Sequence, residues 1–174
     1  MMKIISIISP VSGIVEDIGD DTITIDIRQK DNHNVYSPVN GILSSISSYH
    51  GSWTRHIFEA NVNKIARVIV SIKNTNLNEL ISLWLEVGYP KYITDRIKID
   101  KNINNNVYSG EYIGKIILGS LAEIHFNGIK HYNTIAKGSI LIGGQTLITC
   151  IILSPDENNN EKIGNIIRDM CLQK

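Results

Sequence analysis

The sequence predicts a mainly β protein, a barrel-sandwich-like hybrid of many short strands closed by a C-terminal α-helix. Three observations carry this. Isoleucine dominates the apolar residues, while alanine is scarce and asparagine abundant, a mixture that favours strand over helix. Short alternating apolar runs recur along the chain, separated by Gly, Pro, Asn and Ser. The motif Ser9-Pro10-Val11-Ser12-Gly13-Ile14 returns as Ser37-Pro38-Val39-Asn40-Gly41-Ile42, a turn signal leading into an apolar alternation each time. Two copies suggest two similar β-units within one barrel or sandwich.

The strands follow in order. Thr22-Ile23-Thr24-Ile25-Asp26-Ile27 alternates strictly, with the three isoleucines on one face. Residues 41–47 and 67–73 are further strands. The second carries Val68, Val70 and Ile72 on one face and Arg67, Ile69 and Ser71 on the other, so it is predicted to be central. Residues 77–87 are long enough for a helix, yet Ile81, Leu83, Leu85 and Val87 alternate, which predicts a strand over 81–87. Residues 93–99, 112–118, 121–126 and 146–153 are predicted strands, and 101–109 a polar loop. Gly138, Gly143 and Gly144 mark turns between short elements. Residues 161–172 place Ile163, Ile166, Ile167 and Met170 at helical spacing, an amphipathic helix packed on the body. The organisation expected is a β domain over 1–158 and a packed helix over 159–174.

Length and composition bound the function. A chain of 174 residues forms one domain with a core of its own. Its net charge of +0 and the lack of a basic block argue against nucleic acid as a partner. Cys150 and Cys171 form no Cys-x-x-Cys, and read as one buried and one tail thiol of a reduced intracellular protein. The opening residues are too short for a secretory apolar segment, and no apolar run approaches the roughly 20 residues of a membrane span. The expected location is therefore cytoplasmic or peripheral to a membrane. Open strand edges in a small barrel favour self-association, so a homo-oligomer is expected.

Chemistry concentrates at Gly110-Glu111-Tyr112-Ile113-Gly114-Lys115-Ile116-Ile117-Leu118-Gly119-Ser120. This reads as a turn, a glycine-punctuated strand, and a Gly-Ser step entering the next strand. The glycine leaves the backbone approachable, so Ser120 could attack the carbonyl that precedes it. His125 lies two residues past Glu123 on the following strand, and both share a face. His50 and His56 flank Trp53 in a stretch short of carboxylates and thiols, which reads as a solvated loop, not a metal site. His131 sits in a turn. Trp53 and Trp84 are expected to pack at the core or its rim.

Five pieces in order resemble the short, soluble, pyruvoyl-dependent form of the phosphatidylserine decarboxylase family. Ser9-Pro10-Val11-Ser12-Gly13 is similar to that family's Ser-Pro-x-Asp-Gly. Asp31-Asn32-His33-Asn34-Val35-Tyr36-Ser37-Pro38-Val39-Asn40-Gly41 resembles its histidine-bearing strand and second Pro-x-x-Gly. Residues 87–97 are similar to a central strand pair, 110–126 to the self-cleavage region with Gly119-Ser120 at the processing site, and 138–148 to a closing glycine hairpin. The resemblance implies that Ser120 attacks the Gly119 carbonyl and that the chain splits before it. A pyruvoyl group then forms from Ser120 at the new N-terminus. It also implies the substrate, an aminophospholipid at a membrane surface, and the reaction, decarboxylation of phosphatidylserine to phosphatidylethanolamine with no metal.

The chain departs from the pattern at three places. Ser12 stands at the aspartate position, Asn40 is uncharged in the second copy, and Tyr36 stands where many members carry a second histidine. Two readings follow. In one, His33 is the base, oriented by Asp31 from the same strand face. In the other, the domain keeps the fold, has lost the chemistry, and binds a lipid headgroup or a protein. A biotinyl or lipoyl carrier-like domain ranks last, because Lys115, Lys130 and Lys137 lack a hairpin-tip context.

Overall fold

The computed structural model describes residues 3–28, 30–49, 66–87, 97–117 and 121–153, together with 164–166 and 169. Fourteen strands run in chain order: β1 (Lys3–Ile8), β2 (Gly13–Ile18), β3 (Thr22–Asp26), β4 (Asn34–Tyr36), β5 (Gly41–Tyr49), β6 (Ala66–Lys73), β7 (Leu80–Val87), β8 (Ile97–Ile99), β9 (Asn106–Val107), β10 (Tyr112–Ile116), β11 (Leu121–His125), β12 (Tyr132–Asn133), β13 (Ile140–Leu141) and β14 (Leu147–Leu153). The mainly β class predicted above is what forms. Residues 164–166 and 169 are helical; the remainder of the predicted C-terminal helix lies outside the described residues, as do Trp53, His50, His56 and Cys171.

Three antiparallel sheets build the body. A curled eight-stranded sheet has the order β13-β2-β3-β11-β7-β6-β5-β9, and two smaller sheets have the orders β1-β14-β12 and β4-β10-β8. The period-2 runs explain the core. Val70, Leu83, Ile124 and Ile23 face one another across four adjacent strands, and so do Val68, Leu85, Ala122 and Ile25. All eight are buried, seven of them completely. Each large aliphatic side chain so buried contributes on the order of 1.5–3 kcal/mol. The ambiguous stretch over 77–87 resolves as strand because Ile81, Leu83 and Leu85 all meet this core face. β6 is central, between β5 and β7, as its two-faced pattern predicts.

The repeated motif is a pair of matched corners. In the first, the Ser9 hydroxyl donates to the Val11 carbonyl at 2.7 Å; in the second, Ser37 donates to Val39 at 2.7 Å. The corners grip each other: Ile8 N–H donates to the Pro38 carbonyl and Tyr36 N–H to the Pro10 carbonyl. Each is closed by a glycine turn. Gly144 N–H donates to the Ser9 carbonyl, and Gly110 N–H to the Ser37 carbonyl. Both of those glycines have positive φ, the left-handed region that glycine tolerates. Gly13 and Gly41 then start β2 and β5, where a Cβ would come within 2.2 Å of the Asp26 carbonyl oxygen and 2.4 Å of the Lys73 carbonyl oxygen. No side chain fits at either place.

Candidate active site

The two corners hold Ser12, Tyr36 and Asn40, the three positions that depart from the family pattern. Ser12, in the first corner, accepts a hydrogen bond on Oγ from Gly143 N–H at 2.9 Å. Asn40, its counterpart, accepts on Oδ1 from Ser109 N–H at 2.7 Å. Tyr36 enters the second corner and packs on the glycine turn that closes the first. Its ring packs against Gly144, whose Cβ position is 3.0 Å from the ring, and meets Tyr112 edge-on at 6.4 Å. Its hydroxyl is near the Asn32 and Asn34 amides. An ordered, partly buried tyrosine thus fills the place where the resemblance implies a second histidine.

His33 does not lie on a strand; β4 begins one residue later. Its backbone carbonyl accepts from Ile116 N–H at 2.9 Å, tying it to the end of β10. Its ring Nε2 is 3.2 Å from the Arg28 carbonyl oxygen. A carbonyl only accepts, so Nε2 carries the hydrogen and the neutral ring keeps its lone pair on Nδ1. His33 is therefore oriented, and its basic nitrogen is defined.

The expected orienter is corrected. Asp31 is not beside His33 on a shared strand face, because residues 28–31 close a turn in which Asp31 N–H donates to the Arg28 carbonyl. The Asp31 carboxylate turns back on Arg28. It accepts from Arg28 Nε at 2.8 Å, from Nη2 at 2.8 Å, and from the Arg28 backbone N–H at 3.0 Å. A two-pronged, charge-assisted pair outcompetes a single bond to imidazole. The Arg28 hydrogen bonds hold the Asp31 carboxyl below its ordinary range, and Asp31 in turn raises Arg28. What orients His33 is the Arg28 carbonyl, with Asp31 fixing the turn that presents it.

Gly119 and Ser120 lie outside the described residues. The strands on either side belong to different sheets. β10 belongs to the sheet β4-β10-β8, and β11 runs at the centre of the eight-stranded sheet between β3 and β7. The Gly-Ser step is the link between two sheets. Leu121, the residue bonded to Ser120, pairs with Asp26 on one side and Glu86 on the other.

Sequence reasoning missed a second group on the outer face of the same sheet. Arg67 and Glu86 are cross-strand partners in the Leu121 row, and both are more than nine-tenths buried. Burial, with Glu123 nearby, pushes the Glu86 carboxyl up, and Arg67 and His125 only partly offset this. His125 Nε2 contacts Glu123 Oε2 at 2.8 Å and stacks on Trp84 with ring centroids 4.0 Å apart, so the predicted Glu123–His125 face is real. The available signal for this group was the charge at Arg67, in a strand whose alternation already marked it as central. Among the described residues no cluster of three or more His, Cys, Asp or Glu could hold a metal ion. Nor is any described helix long and apolar enough to cross a membrane.

Paired Ser-Pro-x-x-Gly corners, each closed by a glycine turn, define a β-body of three antiparallel sheets with an oriented histidine ahead of the second corner. The family model for phosphatidylserine decarboxylase matches residues 16–149, from β2 into β14. This chain belongs to the phosphatidylserine decarboxylase family. A search of curated proteins gives no match.

Proposed function

We propose that the chain is a pyruvoyl-dependent phospholipid decarboxylase made as a proenzyme, cleaving itself between Gly119 and Ser120 and releasing carbon dioxide from phosphatidylserine. One observation carries the reading. β11 begins at Leu121 and is hydrogen-bonded along both edges, so a cut before it would leave the sheets whole. The piece after the cut supplies β11–β14, which pair with β1, β2, β3 and β7 of the piece before it. Scission would yield two interlocked chains and a new N-terminus anchored at the sheet centre, which fits the residues to a group derived from Ser120.

In the processing step, Ser120 Oγ adds to the Gly119 carbonyl as its proton passes to a base, and the C–N bond breaks to leave an ester and a free amine. Removal of the Ser120 α-proton then expels Gly119 as a carboxylate. Water replaces the resulting enamine nitrogen, which departs as ammonia. His33 Nδ1 is the base assigned here, held by the Arg28 carbonyl. A pyruvoyl group supplies the electron sink that lets carbon dioxide leave a bound amino acid headgroup. The chain's own part is to bind the headgroup, exclude water and deliver the proton that replaces the carboxylate.

The test is the intact mass of the purified protein, followed by carbon dioxide release from phosphatidylserine vesicles. Two fragments, with Ser120→Ala abolishing the split, support the reading; a persistent single chain of 19.5 kDa with no carbonyl reactivity removes it. A second reading is a non-catalytic headgroup- or protein-binding relative. It is favoured by Ser12 at the aspartate position, with its hydroxyl already engaged by Gly143.

A further inference from the structure

We infer that Arg67, seated on Trp84, is an anion-binding subsite that takes an oxyanion of the aminophospholipid headgroup, its phosphate or its carboxylate. The inference rests on the decarboxylase reading for the identity of the ligand, and on the structure for the site.

Two of the three guanidinium nitrogens are buried yet unmatched. Arg67 is 8% exposed, and its Nε and Nη1 are buried with no hydrogen-bond acceptor. A buried charged donor left unpaired costs more than a neutral one, so such groups are rare unless a ligand completes them. The neighbours hold the cation without neutralising it. Its Cζ lies 4.2 Å from the Trp84 ring centroid and 5.5 Å from that of Tyr49. Aromatic faces of this kind orient a guanidinium without accepting hydrogen bonds from its N–H edges.

The nearby acids do not fill the place. Glu86, the cross-strand partner, forms no ion pair with Arg67 within 4 Å, and burial pushes its carboxyl up. Glu123 is engaged by His125, which is stacked on the same indole. An arginine with two buried, unpartnered nitrogens, held on an indole and without an ion pair to its cross-strand acid, is a receptor for an anion. Arg67, Glu86 and Leu121 share one cross-strand row. Arg67 is therefore two strand spacings, roughly 10 Å, from the residue that follows Ser120. A headgroup whose amine reaches position 120 can extend its anionic part toward Arg67.

The test uses the full chain with Ser120→Ala, so that binding is read without processing. Calorimetric titration with glycerophosphoserine is expected to give binding that Arg67→Met weakens at least tenfold and Arg67→Lys weakens less. Glycerophosphoethanolamine and free serine separate the sources. Arg67-dependent binding of the first assigns the phosphate, and of the second the carboxylate. Equal affinity in the Arg67→Met and parent chains, both with intact melting transitions, would overturn the inference, as would no binding by the parent chain. The two readings fail separately. Arg67-dependent binding in a wild-type chain that never cleaves leaves the subsite standing and sinks the enzyme. An active Arg67→Met enzyme with unchanged KM does the reverse.

Discussion

The Arg28 guanidinium holds both carboxylate oxygens of Asp31, each at 2.8 Å, and the same arginine's backbone carbonyl faces the ring of His33 at 3.2 Å. One ion pair thus sets the turn on which the proposed base depends. Asp31→Asn is expected to lower the melting temperature near neutral pH. The Asp31 pKa is depressed in the folded state, so its contribution is complete above the ordinary carboxylate value of 3.8 and fades as pH falls through the folded value. Melting curves of variant and parent should separate at pH 7 and converge below that value. A constant gap at all pH values would mean the pair acts by packing alone.

His33 is assigned a base role distinct from its positioning contact. His33→Ala is expected to slow self-cleavage at least tenfold, within the range of about 10²–10⁴ that positioned acid–base groups supply. His33→Gln, which can still donate to the Arg28 carbonyl, should be equally slow. Recovery of the parent rate by glutamine, followed by gel densitometry, would reduce His33 to a structural contact.

Glu86 predicts a pH dependence of opposite sign. Its folded pKa is raised, chiefly by burial, above the ordinary 4.5. The folded state then binds more protons than the unfolded one, and stability falls as pH rises from 4.5 through the folded value. Glu86→Gln should melt higher than the parent at pH 7 and alike at pH 4. A variant less stable at pH 7 would show that ionised Glu86 is paired and stabilising.

The corner glycines should not accept a methyl group. Gly13→Ala and Gly41→Ala each drive a Cβ into a backbone carbonyl, at 2.2 Å and 2.4 Å. A loss of about 1–3 kcal/mol in denaturant unfolding is expected for each, as for overpacked cores. Similar losses at the two sites would reflect their matched geometry; a neutral effect at either would show that its corner can open.

Period 2 made most of the sheet legible in the sequence. Ile23 and Ile25, Val68, Val70 and Ile72, and Ile81, Leu83 and Leu85 all point to the core because their strands are regular and one face is apolar. β1 escaped because Ile4, Ile5, Ile7 and Ile8 come in pairs that blur the alternation. β2 carries a register shift between Val15 and Asp17. β4, β9, β12 and β13 have two or three residues each, too few for a period, and exist through the partners they pair with. The site was half legible. Ser12, His33 and Tyr36 stand out through their spacing to the Pro-x-x-Gly turns. The partner of Asp31 does not, since choosing between imidazole and guanidinium requires the turn geometry. The burial of Arg67 depends on packing that no local pattern encodes.

The most direct measurement is denaturing and native mass spectrometry on the same purified sample. The account predicts two chains under denaturing conditions, split before residue 120, with the C-terminal one blocked by a carbonyl group, and one assembled species under native conditions because β11–β14 stay paired with the strands before the cut. A single chain of 19.5 kDa in both, unchanged after prolonged incubation, would contradict it.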